Sequence, residues 1–172
     1  MKDYINFYLK NGQLIKDKNV VTLFKEYLRK AKNNIITMKV LSEIQENKKL
    51  RNLLKMPIDY NSDEWVVITG YYAMYTSALA LIAKIGYRSK NHTATINLLE
   101  EFFIKKKLMS KEDLSLLKNA MLLKDEIEKL SEARHKREIA QYSVTKRTTK
   151  EIAESIKNDA YNFINKVELM IQ

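Results

Sequence analysis

Nineteen consecutive residues without a charged side chain lie near the middle of this 172-residue chain: residues 65–83 read WVVITGYYAMYTSALALIA. Asn61 or Ser62 can cap a helix just before them, and Asp63 and Glu64 would stabilise its positive end. A stretch of this length could cross a bilayer. Hydroxyl-bearing residues run through its centre, however, and the sequence has no second stretch of this kind. We therefore expect the buried central helix of a bundle.

The remainder of the chain is predicted to be helical as well, because residues that break helices are rare. Three glycines and one proline are present, namely Gly12, Gly70, Gly86 and Pro57. Leu, Ile, Lys and Glu, which favour helices, are abundant. Gly86 can end the central helix, with Lys84 in its last turn. These observations predict an all-α fold of four long helices plus shorter ones.

Apolar residues at three- and four-residue spacing predict where the other helices lie. Helices are expected at residues 3–9 and at about 19–47, 92–107, 111–140 and 149–171. Connections are expected at residues 50–61, 87–91 and 143–149. Ser110 with Asp113 resembles a capping box, and Thr149 can cap the last helix. We predict one domain, residues 1–172, in which residues 1–18 are an N-terminal extension.

Cysteine and histidine usage limits the chemistry that is open to this protein. The sequence has no cysteine and only two histidines, so disulfides and thiolate zinc sites are excluded and a histidine-based metal site has little scope. We predict no cofactor. The N-terminal residues mix charged and apolar side chains and lack the apolar run of a signal peptide. A reducing, cytoplasmic location is expected.

Positive charge is concentrated towards the C-terminal third of the chain. The net charge is +10, and half of it falls between Arg134 and Lys150, where six cations face one acidic residue, Glu138. A local field of this kind favours an anionic partner such as RNA, a nucleotide or an acidic protein. The alternative is an ordinary solvated lysine-rich surface.

Three motifs together resemble a known family. The central helix contains Gly70-Tyr71-Tyr72-Ala73-Met74-Tyr75, a glycine turn follows at Gly86, and Lys90-Asn91-His92 precedes the next helix. Later, Arg137 is followed by Ala140-Gln141-Tyr142. In order and spacing these motifs are similar to those of the HEPN family (higher eukaryotes and prokaryotes nucleotide-binding domain). The resemblance covers roughly residues 20–170 and is closest to uncharacterised prokaryotic members.

The HEPN resemblance implies a fold, an assembly and an activity. The family fold is an up-and-down four-helix bundle, usually a homodimer. Many members are metal-independent endoribonucleases, and several are toxins paired with a minimal nucleotidyltransferase antitoxin. In active members an arginine and a histidine, four to six residues apart, meet across the dimer interface. A guanidinium can bind the phosphate and an imidazole can transfer protons near neutral pH.

The resemblance carries Arg137 onto the motif arginine, a candidate catalytic phosphate ligand. Arg134 lies one turn earlier and could bind the same phosphate. A surface arginine paired with a nearby carboxylate is the alternative for Arg137. No histidine follows it: Gln141 and Tyr142 stand four and five residues later. Tyr142 is a candidate for the binding site, for packing or for modification.

The two histidines are the remaining candidates for proton transfer. His92 follows the cations Arg88 and Lys90, which are candidate RNA-binding residues, and a hydrogen bond across the start of its helix is the structural alternative. His135 lies beside Arg134, and solvent exposure is the alternative there. The family position two residues after His92 often holds glycine, whereas this chain has Ala94.

Two functions are compatible with the sequence. The first is a HEPN-type homodimer that binds RNA or a nucleotide around Arg134 and Arg137, as the toxin-like half of a pair with a nucleotidyltransferase. The second is a non-catalytic helical protein-interaction module whose motif has decayed. The tyrosines of the central helix, Tyr71, Tyr72 and Tyr75, could stack on bases; core and interface packing is the alternative.

Overall fold

The computed structural model describes residues 2–137 and 149–171, and within them seven α-helices and one small sheet are present. The helices are α1 (Lys2–Lys10), α2 (Phe24–Glu46), α3 (Lys48–Leu53), α4 (Asp63–Lys84), α5 (His92–Leu99), α6 (Lys111–Arg137) and α7 (Lys150–Ile171). The two strands are β1 (Leu14–Lys16) and β2 (Tyr87–Ser89). The prediction of an all-α fold is confirmed, with α2, α4, α6 and α7 as its long helices.

Helix α4 is the centre of the bundle, as its lack of charge predicts. It packs against α2, α6 and α7, and Val67, Tyr71, Met74 and Ala78 on it have no exposed surface. By length and composition the helix could cross a membrane, but 72% of its most apolar window is buried inside the protein. Its apolar surface is therefore buried against the neighbouring helices.

The starts of two helices show how polar side chains organise the core. The predicted capping box before α6 is present: Ser110 N donates to Asp113 Oδ2 (2.9 Å), and Asp113 N donates to Ser110 Oγ (3.1 Å). Before α4, Asn61 Oδ1 accepts from Asp63 N (2.8 Å). Ser62 has a different role, because its buried hydroxyl donates to the Leu41 carbonyl of α2 (2.9 Å).

The N-terminal segment packs on the bundle through β1. Leu14 is buried, and β1 pairs antiparallel with β2, with Ile15 opposite Arg88. Part of the connection expected at residues 87–91 is therefore a strand, and that expectation was wrong for Tyr87–Ser89. The partner strand lies more than seventy residues away in sequence, so local patterns could not reveal the pair.

Three predicted helix boundaries also differ from the structure. The helix expected from residue 19 begins as a 3-10 helix, Lys18–Leu23, which Asp17 caps through its side chain. The connection expected from residue 50 contains the end of α3. The helix expected at residues 92–107 ends at Leu99 and continues as a π-helical turn, Glu100–Ile104. No glycine or proline marks any of these changes.

The Asp113 carboxylate is expected to stabilise the fold in a pH-dependent manner. Burial alone would raise its pKa, but hydrogen bonds from Lys166 and Ser110 outweigh burial and hold the pKa below its usual value. Asp113→Asn should lower the free energy of unfolding by about 1–2 kcal/mol at pH 7. A carboxylate with a depressed pKa stabilises the folded state at pH values above the ordinary aspartate pKa of about 3.9. This stabilisation is lost as the pH falls through the folded-state pKa.

Urea unfolding followed by circular dichroism at pH 7 and pH 3 measures this effect. The difference between wild type and Asp113→Asn should shrink at the lower pH. Glu112→Gln is the matched control, because Glu112 is the exposed neighbour of Asp113, and its effect should stay within about 0.5 kcal/mol. An equal deficit for Asp113→Asn at both pH values would contradict the assignment.

Candidate functional site

His92, the first residue of α5, is held by a tyrosine of the central helix. The Tyr71 hydroxyl makes a short hydrogen bond with His92 Nδ1. The Tyr71 side chain is fully buried, and burial raises the pKa of its hydroxyl far above the ordinary value. Tyr71 therefore keeps its proton, and we infer that it is the donor in this hydrogen bond, because a buried hydroxyl proton needs an acceptor. His92 Nδ1 supplies that acceptor.

Tyr75 fixes the plane of the same imidazole. Its ring stacks on the His92 ring with centroids 4.3 Å apart and planes 25° apart, and it also stacks on Tyr71 at 5.8 Å. The Asn91 side chain, and not that of His92, caps α5 by accepting from Ala94 N (3.0 Å). The expected hydrogen bond of His92 across the start of its own helix is therefore replaced by one to α4.

Lys124 of α6 also contacts Tyr71, and we call His92, Tyr71, Tyr75 and Lys124 the His92 cluster. Its ammonium lies 5.7 Å from the centre of the Tyr71 ring and 6.0 Å from that of Tyr72. Glu128 accepts from Lys124 Nζ at 2.6 Å and Asp125 at 3.4 Å. Burial disfavours the charge and is the largest single effect, but the hydrogen bond and charge of Glu128, together with Tyr72 and Asp125, outweigh burial and raise the pKa of Lys124 above its ordinary value. Lys124 is therefore a permanent, nearly buried cation.

His92 is neutral at pH 7 in this environment. Burial of the ring lowers its pKa, and the Lys124 charge lowers it further, while Asp125 and Glu128 act in the opposite direction. Because the net pKa shift is downward from an ordinary value of about 6.5, the neutral imidazole predominates. With Tyr71 donating to Nδ1, the proton of the neutral ring lies on Nε2.

One stripe of α4 remains open to solvent beside this cluster. It consists of Trp65, Thr69, Tyr72 and Thr76, which recur at three- and four-residue spacing along one face of the helix. Trp65 is 57% exposed and Tyr72 is 38% exposed. Tyr71 is therefore packed in the core, whereas Tyr72 is partly exposed within the chain, where base stacking and interface packing both stay predictions. We call these four residues the open stripe.

The predicted arginine site lies at the far end of α6. Arg134, His135 and Arg137 belong to its last two turns, for which the structure describes the backbone. Tyr142 lies outside the described residues. Lys124 precedes Arg137 by thirteen residues, about 20 Å along a helix. The structure therefore separates the His92 cluster from Arg137 within one chain.

The other predicted binding residues lie on the His92 side of the protein. Arg88 is the exposed central residue of β2, and Lys90 is exposed two residues before His92. In the part of the chain that the structure describes, no group of three histidine, cysteine or carboxylate side chains could hold a metal ion. The groups that the structure brings together here are an imidazole, tyrosine rings, the Lys124 ammonium and the carboxylates of Asp125 and Glu128.

Sequence reasoning missed two features of the His92 cluster. These are the presence of Lys124 and the hydrogen bond between Tyr71 and His92. One signal was available for Lys124: it stands between Met121 and Ile127 on a stripe of α6 that is otherwise apolar from Leu114 to Leu130. A lysine at such a position must have partners when the stripe is buried. No comparable signal exists for Tyr71, since the contact of α4 with α5 depends on the turn between them.

Comparison with known proteins is consistent with this architecture. Residues 24–170 match the HEPN domain. The chain is also similar to a UPF0332 protein of Archaeoglobus fulgidus, with 31% identity over 125 residues, which cover 73% of this chain and 89% of that protein. The family match extends over α2 to α7 and includes both the His92 cluster and the arginines of α6. The chain therefore belongs to the HEPN domain family.

Proposed function

We propose that this protein binds RNA through the basic end of α6, with Arg134 and Arg137 as phosphate ligands. The observation that carries the proposal is the concentration of charge, because half of the net charge of +10 lies between Arg134 and Lys150. Guanidinium groups match phosphate oxygens in geometry and charge. Phosphate contacts of this kind supply most of the affinity in sequence-independent binding.

The stronger form of the proposal is metal-independent cleavage of the bound RNA. In this form Arg137 binds the scissile phosphate and stabilises its developing charge, and His135 or His92 transfers protons. Within one chain His135 is the histidine nearer in sequence, two residues before Arg137 on α6, but residues at this spacing do not share a helix face. His92 could reach Arg137 only from a second copy.

The proposal includes an assembly and a partner. We propose a homodimer, the usual assembly of the HEPN family, in a reducing cytoplasm that suits a chain without cysteine. A small nucleotidyltransferase acting as antitoxin is the protein partner that we propose. A free nucleotide is an alternative ligand for the same cations, since it presents the same phosphate groups. The salt dependence of binding separates the two ligands, because a strand contacts several phosphates and a nucleotide few.

A non-catalytic protein-interaction module is the second candidate function. It is favoured by exposed apolar residues on α2, α3 and the connection to α4. Their exposed fractions are large: Ile36 60%, Val40 50%, Leu53 78% and Ile58 97%. Ile36 and Val40, four residues apart, share one face of α2, and an exposed apolar face of a helix can bind a partner helix.

Three measurements on the same two proteins, RNA cleavage, RNA retention and molecular mass, separate these functions. Structured and single-stranded RNA are incubated in EDTA with wild type or Arg137→Ala at low and moderate salt, and the mass of each protein is measured by light scattering. We expect RNA retention by a dimer that weakens with salt and with the substitution. Cleavage that the substitution abolishes would establish the stronger form. If the protein neither cleaves nor retains RNA, RNA binding is rejected and the interaction module is favoured.

A further inference from the structure

We propose that His92 is a base-recognition residue, whose Nε2–H donates a hydrogen bond to an acceptor on an RNA base that stacks on the open stripe. The inference rests on the proposed RNA binding and adds that the protein recognises a base of the RNA. Arg134 and Arg137 hold phosphates at one end of α6, and His92 contacts a base near Lys124. Tyr71 is the positioning residue for His92.

The hydrogen-bond donor is fixed by the Tyr71 hydroxyl. Protonating His92 at Nδ1 would leave the buried Tyr71 hydroxyl without its acceptor, so Tyr71 opposes both the imidazolium and the other neutral tautomer. The Tyr75 ring, stacked at 4.3 Å, restrains the ring plane. His92 is thus a preorganised neutral donor at the surface, and a preorganised donor loses little freedom on binding.

The charges that α4 and α6 present to His92 favour a neutral acceptor over a phosphate. Tyr71 and Tyr75 face it from α4, and both are uncharged because burial raises their pKa values. From α6 it meets one cation, Lys124, and two carboxylates, Asp125 and Glu128. The charge that these α6 side chains present to the ring is therefore −1, which disfavours an anion at that side of the ring, while the exposed cations Arg88 and Lys90 lie earlier in the chain. Carbonyl oxygens and unprotonated ring nitrogens of bases are neutral acceptors.

The open stripe supplies a stacking surface beside this donor. Tyr72 adjoins Tyr71, with ring centroids 5.2 Å apart, and Trp65 lies seven residues earlier on the same face. Seven residues correspond to about 10 Å along a helix. Exposed aromatic rings bind bases of any sequence by stacking. A single strand running along α4 could therefore place bases on these rings and its phosphates towards the end of α6.

The experiment measures base-dependent binding. Fluorescence anisotropy compares an oligouridylate with an abasic oligomer of equal length, for wild type and for the double variant Tyr71→Phe/His92→Phe. The double variant removes the donor and its partner together, so no buried hydroxyl is orphaned. We expect wild type to prefer the base-bearing strand by about tenfold, and the variant to lose most of this preference while keeping its affinity for the abasic strand. Thr93→Val, at the exposed neighbouring position, is the control.

Nitrogen NMR of the imidazole tests the geometry independently of RNA. Wild type should show the Nε2–H tautomer, and Tyr71→Phe should raise the pKa of His92 because protonation no longer orphans a hydroxyl. An Nδ1–H tautomer in wild type would overturn the proposal. So would an unchanged base preference in the double variant.

The remaining outcomes separate the two proposals. If wild type binds neither oligomer while the NMR result holds, RNA binding itself fails and base recognition fails with it. If wild type binds both oligomers equally, RNA binding stands and base recognition is overturned. If Trp65→Ala converts a dimer into a monomer and base-bearing RNA does not compete, a second copy covers the open stripe and base recognition is again overturned.

Discussion

Replacing Arg134 and Arg137 together by glutamine is expected to weaken binding of single-stranded RNA about thirtyfold at low salt. The slope of log affinity against log salt should fall by about 1.4, since each phosphate contact on a single strand contributes about 0.7. Loss of two charge-assisted hydrogen bonds accounts for the affinity change. Fluorescence anisotropy over a series of salt concentrations measures both quantities.

A charge-matched control separates this site from general attraction. Lys25→Gln/Lys30→Gln removes the same two charges from exposed positions near the start of α2. At about 0.1 M salt we expect it to change affinity by less than about threefold, because cations further from bound RNA than the Debye length of about 10 Å are then largely screened. Equal effects of the two double variants would mean that total charge, and not the end of α6, attracts RNA.

The central helix and its caps were predictable because their causes are local. The lack of charge in residues 65–83 follows from burial on nearly every side, and the structure places most of this stretch inside the bundle. The capping box of Ser110 and Asp113 and the turn at Gly86, which has a φ of +79°, are likewise visible in a few neighbouring residues. Family membership was predictable from the spacing of three such motifs.

Contacts between distant segments were not predictable in the same way. The strand at Tyr87–Ser89 exists because Leu14–Lys16 pairs with it, and neither three-residue segment has a pattern of its own. The hydrogen bond between Tyr71 and His92 depends on how α5 folds back on α4. Sequence reasoning identified His92 as a candidate but could not supply Tyr71 as its partner. Its predicted role in proton transfer stays a prediction.

Gly70 connects the packing of the bundle to the His92 cluster. It lies where α2, α4 and α7 approach closely, one residue before Tyr71. A Cβ atom at this position would lie 2.7 Å from Ile156 Cγ2 and 3.2 Å from Met38 Sδ. The methionine can move at small cost. Ile156 cannot, because it is β-branched and only 2% exposed. The absence of a side chain at Gly70 therefore allows α7 to pack directly on α4.

Gly70→Leu is accordingly expected to lower the free energy of unfolding by at least about 3 kcal/mol, since its side chain must displace Ile156 from a filled core. Gly70→Ala should cost less, because the helix propensity of alanine offsets about 1 kcal/mol of the clash. Thr69→Leu, on the partly exposed face one residue away, should change stability by less than about 0.5 kcal/mol. Urea denaturation measures all three variants. Equal midpoints for Gly70→Leu and Thr69→Leu would refute the close packing.

Gly70→Ala also tests the link to function. If it folds, rotation of α4 away from Ile156 should shift the Tyr71 hydroxyl and raise the pKa of His92.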